Sequence, residues 1–172
     1  MQQILLAFLS LLVPSTDAEA LLRVAPRTKI STEHARLHIA AARIAGYVTD
    51  VDPDLILATA YHESRFDQTV RGPILENGKR ACGVMQHVPM KICPEPSLLR
   101  DYLAGAKHLK WWIDSQRGDV ERGLAGYAGG YPSLERYNKN EDSRVRKVVR
   151  LNLARARRIK SACAQTSAMA PI

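Results

Sequence analysis

The sequence predicts an all-α fold, and three observations carry that prediction. Apolar residues recur at helical spacing over several long windows, and alternation with a period of two is almost absent. Helix-start signals precede those windows at Ser31/Thr32, Asp52-Pro53 and Gly118-Asp119. Aromatics make up only 6% of the chain, too few for a sandwich or barrel of Tyr- and Phe-rich strands. With 172 residues, 46% of them hydrophobic and 24% charged, the chain suits one compact domain and not a disordered or collagen-like polymer.

Residues 4–13 (ILLAFLSLLV) are almost wholly apolar and are followed by an A-x-A site, Ala18-Glu19-Ala20. This predicts a signal peptide over 1–20, although the segment before it carries no Lys or Arg. A short buried helix and an uncleaved anchor remain as alternatives, and ten apolar residues fall short of a stable transmembrane span. The next helix starts at Ser31/Thr32, with Leu37, Ala41, Ile44 and Val48 as its predicted apolar stripe. Asp52-Pro53-Asp54 starts another, whose LILATAY run is apolar on every face and therefore predicted to be buried. Residues 67–96 read as an extended loop rich in Gly, Pro and turn residues. From Ser97 an amphipathic helix carries Tyr102, Ala106, Leu109 and Ile113 on one stripe, with Arg100, Lys107 and Lys110 off it. Gly118-Asp119 ends that helix and caps a shorter one to about Tyr127, and GGYP reads as a turn. A last helix bears Val145, Val148, Val149, Ala156, Ile159 and Cys163 on its apolar face. The expected organisation is a signal peptide over 1–20, a domain over 21–140, and a basic helix and tail over 141–172 packed on that domain or extending it.

The net charge of +8 belongs to this last segment, because residues 144–172 hold 8 cations and no acid. A solvated helix face explains it most simply; attraction to an anionic envelope is the next reading. No helix-turn-helix signal or zinc-finger spacing accompanies it, so nucleic acid is not an expected partner. Cys82 and Cys93 bound a short loop and are predicted to pair in an oxidising compartment, leaving Cys163 as a small hydrophobe. The spacing of 82, 93 and 163 suits no zinc site, and neither metal nor cofactor is expected.

Chemistry points first to Glu63. An apolar helix ends in this carboxylate just where the chain leaves for a Gly-rich loop. Desolvation and the negative end of the helix dipole both raise a carboxyl pKa there, as a general acid for glycosidic cleavage requires. Taken alone, the position is better explained by a Glu that frays into solvent or pairs with Arg65. Asp67 reads as a loop cap and not as a second catalytic carboxylate. His62 and His87 read as hydrogen-bonding cleft walls, and of Trp111 and Trp112 one ring is expected in the core.

Four segments occur in order: YHESRFD (61–67), CGVMQHVP (82–89), AGAKHLKWW (104–112) and LAGYAGGYP (124–132). Together they resemble the lytic transglycosylases of the soluble-transglycosylase (SLT) type, a branch of the lysozyme-like superfamily. That family carries E-S-x-F, G-L-M-Q, A-G-x-x-Y/H-L and A-Y-N-A-G-P-G segments, and the resemblance spans about residues 50–135. It implies a single lysozyme-like domain with an extended loop between the catalytic helix and the G-V-M-Q segment. It further implies Glu63 as the one catalytic acid/base, Ser64 as the hydroxyl that helps orient it, and Tyr127 as the residue reaching toward it across the cleft. Gly83, Met85 and Gln86 match the segment lining the sugar groove. The implied substrate is peptidoglycan, cut between N-acetylmuramic acid and N-acetylglucosamine to leave a 1,6-anhydro end. Two departures bear on substrate positioning: the family's Asn is Ala128 here, and Tyr131 takes the place of a Pro, where it either stacks on a sugar or packs the turn.

The resemblance and the leader together predict an exported, periplasmic or secreted enzyme. Its small size suits a partner such as an envelope-spanning secretion, conjugation or phage apparatus. A hydrolytic muramidase on the same fold is the nearest alternative. A catalytically weak wall-binding or assembly protein, and a DNA-binding protein using the basic helix, are the alternatives from other classes.

Overall fold

The computed structural model describes residues 2–87, 92–141 and 143–168. Met1, the Val88-Pro89 end of the second motif, and the tail beyond Ala168 lie outside the described residues. The described chain forms helices α1 (Gln2–Leu11), α2 (Ser15–Val24), α3 (Thr32–Thr49), α4 (Pro53–Ser64), α5 (Leu98–Ser115), α6 (Val120–Asn138) and α7 (Ser143–Ala168). The all-α expectation is met, and the only extended pairing among the described residues is an isolated bridge between Arg71 and Cys82.

The helix starts follow from their caps. Ser31 Oγ accepts from the His34 N–H at 3.2 Å, Asp52 Oδ1 from Asp54 at 2.8 Å and Asp119 Oδ1 from Arg122 at 3.0 Å. Each bond satisfies a donor that the first helical turn leaves unpaired. Helix α4 is buried along Leu55–Tyr61 because both α3 and α7 pack against it. A helix in that position needs apolar residues all round, as its sequence provides.

The stripe predicted for α3 is corrected. Ala41 is fully buried and Leu37 and Ile44 pack half-buried against the core as expected, but Val48 is 55% exposed, and the buried face extends to Ala35, His38, Ile39, Ala40, Ala42, Ala45, Gly46 and Thr49. Hydrophobicity alone pointed to the larger residues, but small ones on a helix let its neighbours approach closely. Buried His38 stays in the core by bonding Tyr102 Oη through Nδ1 at 2.9 Å, and burial drives its pKa down to about 3.

Helices α1 and α2 pack onto this frame. Arg36 donates to the Ser10 and Leu11 carbonyls at the end of α1, at 3.1 and 2.8 Å. Asp17 on α2 is 3% exposed and meets Arg43 Nη2 at 2.8 Å. The Ala18-Glu19-Ala20 site lies within α2, with Ala18 and Ala20 fully buried. Helix α7 lays Val145, Val149 and Ile159 against α2, α4 and α6 and turns its cations outward except for Arg155, which is half-buried against α4. No described helix is long and apolar enough to cross a membrane.

Gly105 on α5 lets the chain at Met85 approach closely, since a Cβ there would overlap the Met85 side chain. Replacing Gly105 with Ala should therefore cost about 1–3 kcal/mol of unfolding free energy through overpacking. Urea unfolding of the variant checks this, and an unchanged midpoint would contradict the tight contact.

Candidate active site

Glu63 occupies the last turn of α4, and the chain turns away at once. Arg65 and Phe66 take left-handed backbone angles (φ 60° and 67°), and the Arg65 N–H closes the helix on Tyr61 O. Phe66 is 1% exposed and anchors the turn against His38 and Tyr61. The Arg65 and Arg155 guanidinium groups lie over the Tyr61 ring at 4.5 and 4.3 Å, which ties the end of α4 to α7. Burial pushes the Glu63 carboxyl up to about 7 from its ordinary 4.5. Ser64 is buried, and its hydroxyl donates to Ala60 O at 3.1 Å within α4.

The long loop after Asp67 is held at several points. Asp67 Oδ1 accepts from both the backbone and the hydroxyl of Thr69, at 2.8 and 2.7 Å, and these bonds lower its pKa. It is the exposed loop cap that its position suggested. Gly72 and Gly83 pair with Ala81 O and Val70 O at 2.9 and 3.1 Å, folding 70–83 back on itself. The predicted Cys82–Cys93 disulfide is formed, and Cys163 lies half-buried on α7, outside that pairing.

The loop delivers Gly83, Val84, Met85 and Gln86 to the core. Gly83 has φ +77°, where only glycine is unstrained, and a Cβ there would strike the Asp101 carboxylate. Asp101 Oδ2 accepts from Val84 N at 3.4 Å and thereby braces the segment from α5. Asp101 went unnoticed in the sequence because an acid in the first turn of a helix reads as a dipole partner. Met85 is fully buried. Gln86 Nε2 donates to Val70 O and Gly83 O at 3.0 and 2.7 Å, so its amide nitrogen secures the loop itself.

Opposite stands α6. Gly126 brings its backbone against the Trp112 ring, where no side chain would fit. Tyr127 Oη then donates to Met85 O at 2.6 Å. Burial, and next the charge of Glu63, raise the Tyr127 pKa well above its usual value, so the two residues share one electrostatic environment. The GGYP stretch is a kink joining two helical halves: Gly130 adopts φ 71°, and the helix resumes through Pro132. Trp112 is 4% exposed, whereas Trp111 and Tyr131 are 50% and 65% exposed. Ala128 is exposed. Burial lowers the pKa of both His62 and His87, and His87 lines a cavity of about 310 Å³ with Arg71, Gly83 and Asp101.

The raised carboxyl has a consequence for stability. Because the folded protein holds Glu63 protonated up to about pH 7 and the unfolded chain only to about 4.5, stability is greatest below 4.5 and is lost as pH rises through 7. The stability of Glu63→Gln relative to the native chain should grow by about 3 kcal/mol between pH 4.5 and about pH 8. Urea titrations at both pH values measure this, and a pH-independent difference would mean the carboxyl is not desolvated.

Among known families, the Transglycosylase SLT domain matches residues 41–149, from the middle of α3 into α7. No curated protein and no solved structure matches the chain. The match covers α4 with Glu63, the loop with Gly83, Met85 and Gln86, and α6 with Tyr127. The chain is therefore a member of the transglycosylase SLT family, an all-α, lysozyme-like domain of the kind that binds and cleaves peptidoglycan.

Proposed function

We propose that this protein is a lytic transglycosylase that cuts the β-1,4 bond between N-acetylmuramic acid and N-acetylglucosamine, with Glu63 as its only acid/base. The observation that carries the reading is a single carboxyl at the end of a buried helix, raised to about 7 by desolvation alone. Such a group is protonated when substrate arrives and is still a usable base once it has given its proton away.

In this reading, the Glu63 carboxyl donates its proton to the glycosidic oxygen as the C1–O bond breaks, and positive charge develops at C1. The substrate's own 2-acetamido oxygen bonds to C1 and stabilises that charge. Glu63, now a carboxylate, takes the proton of the C6 hydroxyl while that oxygen closes onto C1 and displaces the acetamido oxygen. The proton is returned, and the product carries a 1,6-anhydro ring. Tyr127 donates its hydroxyl proton to Met85 O, so that proton is committed there. Asp67, exposed and held ionised by Thr69, is not placed to act as a second carboxylate nucleophile. That favours anhydro closure over hydrolysis, in which water would replace the C6 hydroxyl.

The Cys82–Cys93 bond and a peptidoglycan substrate support an exported, periplasmic or secreted location. A domain this small fits local opening of the wall for a secretion, conjugation or phage apparatus.

Mass spectrometry of sacculi digested by the full chain and by Glu63→Gln tests the assignment. Anhydro-muropeptides should appear with the native protein and fall at least about a hundredfold in the variant. Reducing-end products would replace this reading with hydrolysis, and bound but uncut sacculi with a wall-binding role. Because only the protonated acid can start the reaction, the rate should fall as pH rises through about 7. A rate still rising above about pH 8 would remove Glu63 from the acid role.

A further inference from the structure

Five rings run without a break from the catalytic cleft to the surface. Tyr127, which feels the charge of Glu63, lies 5.2 Å from the His108 ring. His108 lies 6.4 Å from Trp111, nearly parallel to it at 27°, and its Nε2 accepts from Trp112 Nε1 at 3.0 Å. Trp112 is the buried keel, with Trp111 on one side at 4.8 Å and Tyr131 on another at 5.1 Å, both edge-on. The outermost rings, Trp111 and Tyr131, are 50% and 65% exposed although each is fixed by contact with Trp112.

Large apolar rings are costly to leave in water, and rings held rigid beside a cleft are available for binding without ordering cost. The kink at Gly129–Gly130 sets the start of the second half of α6, so Tyr131 reaches Trp112 where a Pro would leave that side of the keel bare. A polymer substrate extends past the bond that is cut, and its pyranose rings present flat C–H faces matched to aromatic rings. We propose that Trp111 and Tyr131 form an outer saccharide subsite, on which a sugar ring of the glycan strand stacks at a distance from Glu63. This rests on the glycan-cleaving reading, and it commits the exposed patch to an N-acetylated β-1,4-linked glycan.

The probe is the β-1,4-linked hexamer of N-acetylglucosamine, with the dimer as a short control, titrated by calorimetry into the full chain and into Trp111→Ala, Trp111→Phe, Tyr131→Leu and Tyr131→Phe. Trp111→Ala and Tyr131→Leu should each weaken hexamer binding by about five- to tenfold, and the two Phe variants by less than about twofold. Dimer binding should stay within about twofold, because the loss falls only on a strand long enough to reach the outer rings. Thermal midpoints of the four variants keep a folding defect from passing as lost binding. Equal hexamer affinity for all variants would overturn the subsite. So would a self-association, seen by sedimentation, that Trp111→Ala abolishes while glycan binding is unchanged. If the native chain binds the hexamer through Trp111 yet cuts no sacculi, the subsite stands and the cleavage reading falls.

Discussion

A carboxyl group that must stay out of water organises this molecule. Glu63 has no counter-ion to hold it, and burial alone lifts it to about 7. Desolvation of that kind requires α4 to be enclosed, so its Leu55–Tyr61 stretch packs against α3 and α7. It also requires the helix to stop at once after the carboxyl, which the two left-handed residues Arg65 and Phe66 accomplish. Had α4 continued, the carboxyl would sit mid-helix on a covered face. Had it ended one turn earlier, water would restore an ordinary acid.

The wall opposite Glu63 depends on close approach. Gly105 admits Met85, Gly83 admits Asp101, and Gly126 admits Trp112, each at a place where a Cβ would collide. Those three contacts fix the 83–86 segment and α6 well enough for Tyr127 to reach Met85 O. The bond joins α6 to the 83–86 segment, so loosening any one glycine contact would move the hydroxyl that shares an environment with the acid. Backbone positioning by small residues is stiff, because it leaves no rotamers to adjust.

Much of this was legible in the sequence, for physical reasons that differ by element. Asp52-Pro53 and Gly118-Asp119 signalled their helix starts because capping is local chemistry, complete within four residues. The buried character of α4 could be read because LILATAY has no polar face to turn outward. The face of α3 was read only in part, with Ala41 inside but Val48 outside, because close packing on Ala42, Ala45 and Gly46 is a property of pairs of helices, invisible in one. Asp101 and the carbonyl partner of Tyr127 were hidden for the same reason, since each bond joins segments far apart in the chain. Ser64, placed by resemblance beside the carboxyl, is engaged by Ala60 O in its own helix.

The departures at 128 and 131 act together. An Asn at 128 would offer a hydrogen bond near the bond to be broken; Ala128 offers none, and Tyr131 adds an exposed ring beyond the kink. Hydrogen bonds close to developing charge strengthen in the transition state, whereas stacking on a remote ring holds substrate and transition state alike. On the proposed reading the exchange therefore favours holding a glycan strand over rapid turnover. Tight holding with slow cutting suits an enzyme that opens wall at one place, because an enzyme that lets go quickly spreads its damage. By the same reasoning the loss at 128 falls on turnover and the gain at 131 on strand binding, while the environment of the acid is set by the glycines and α4.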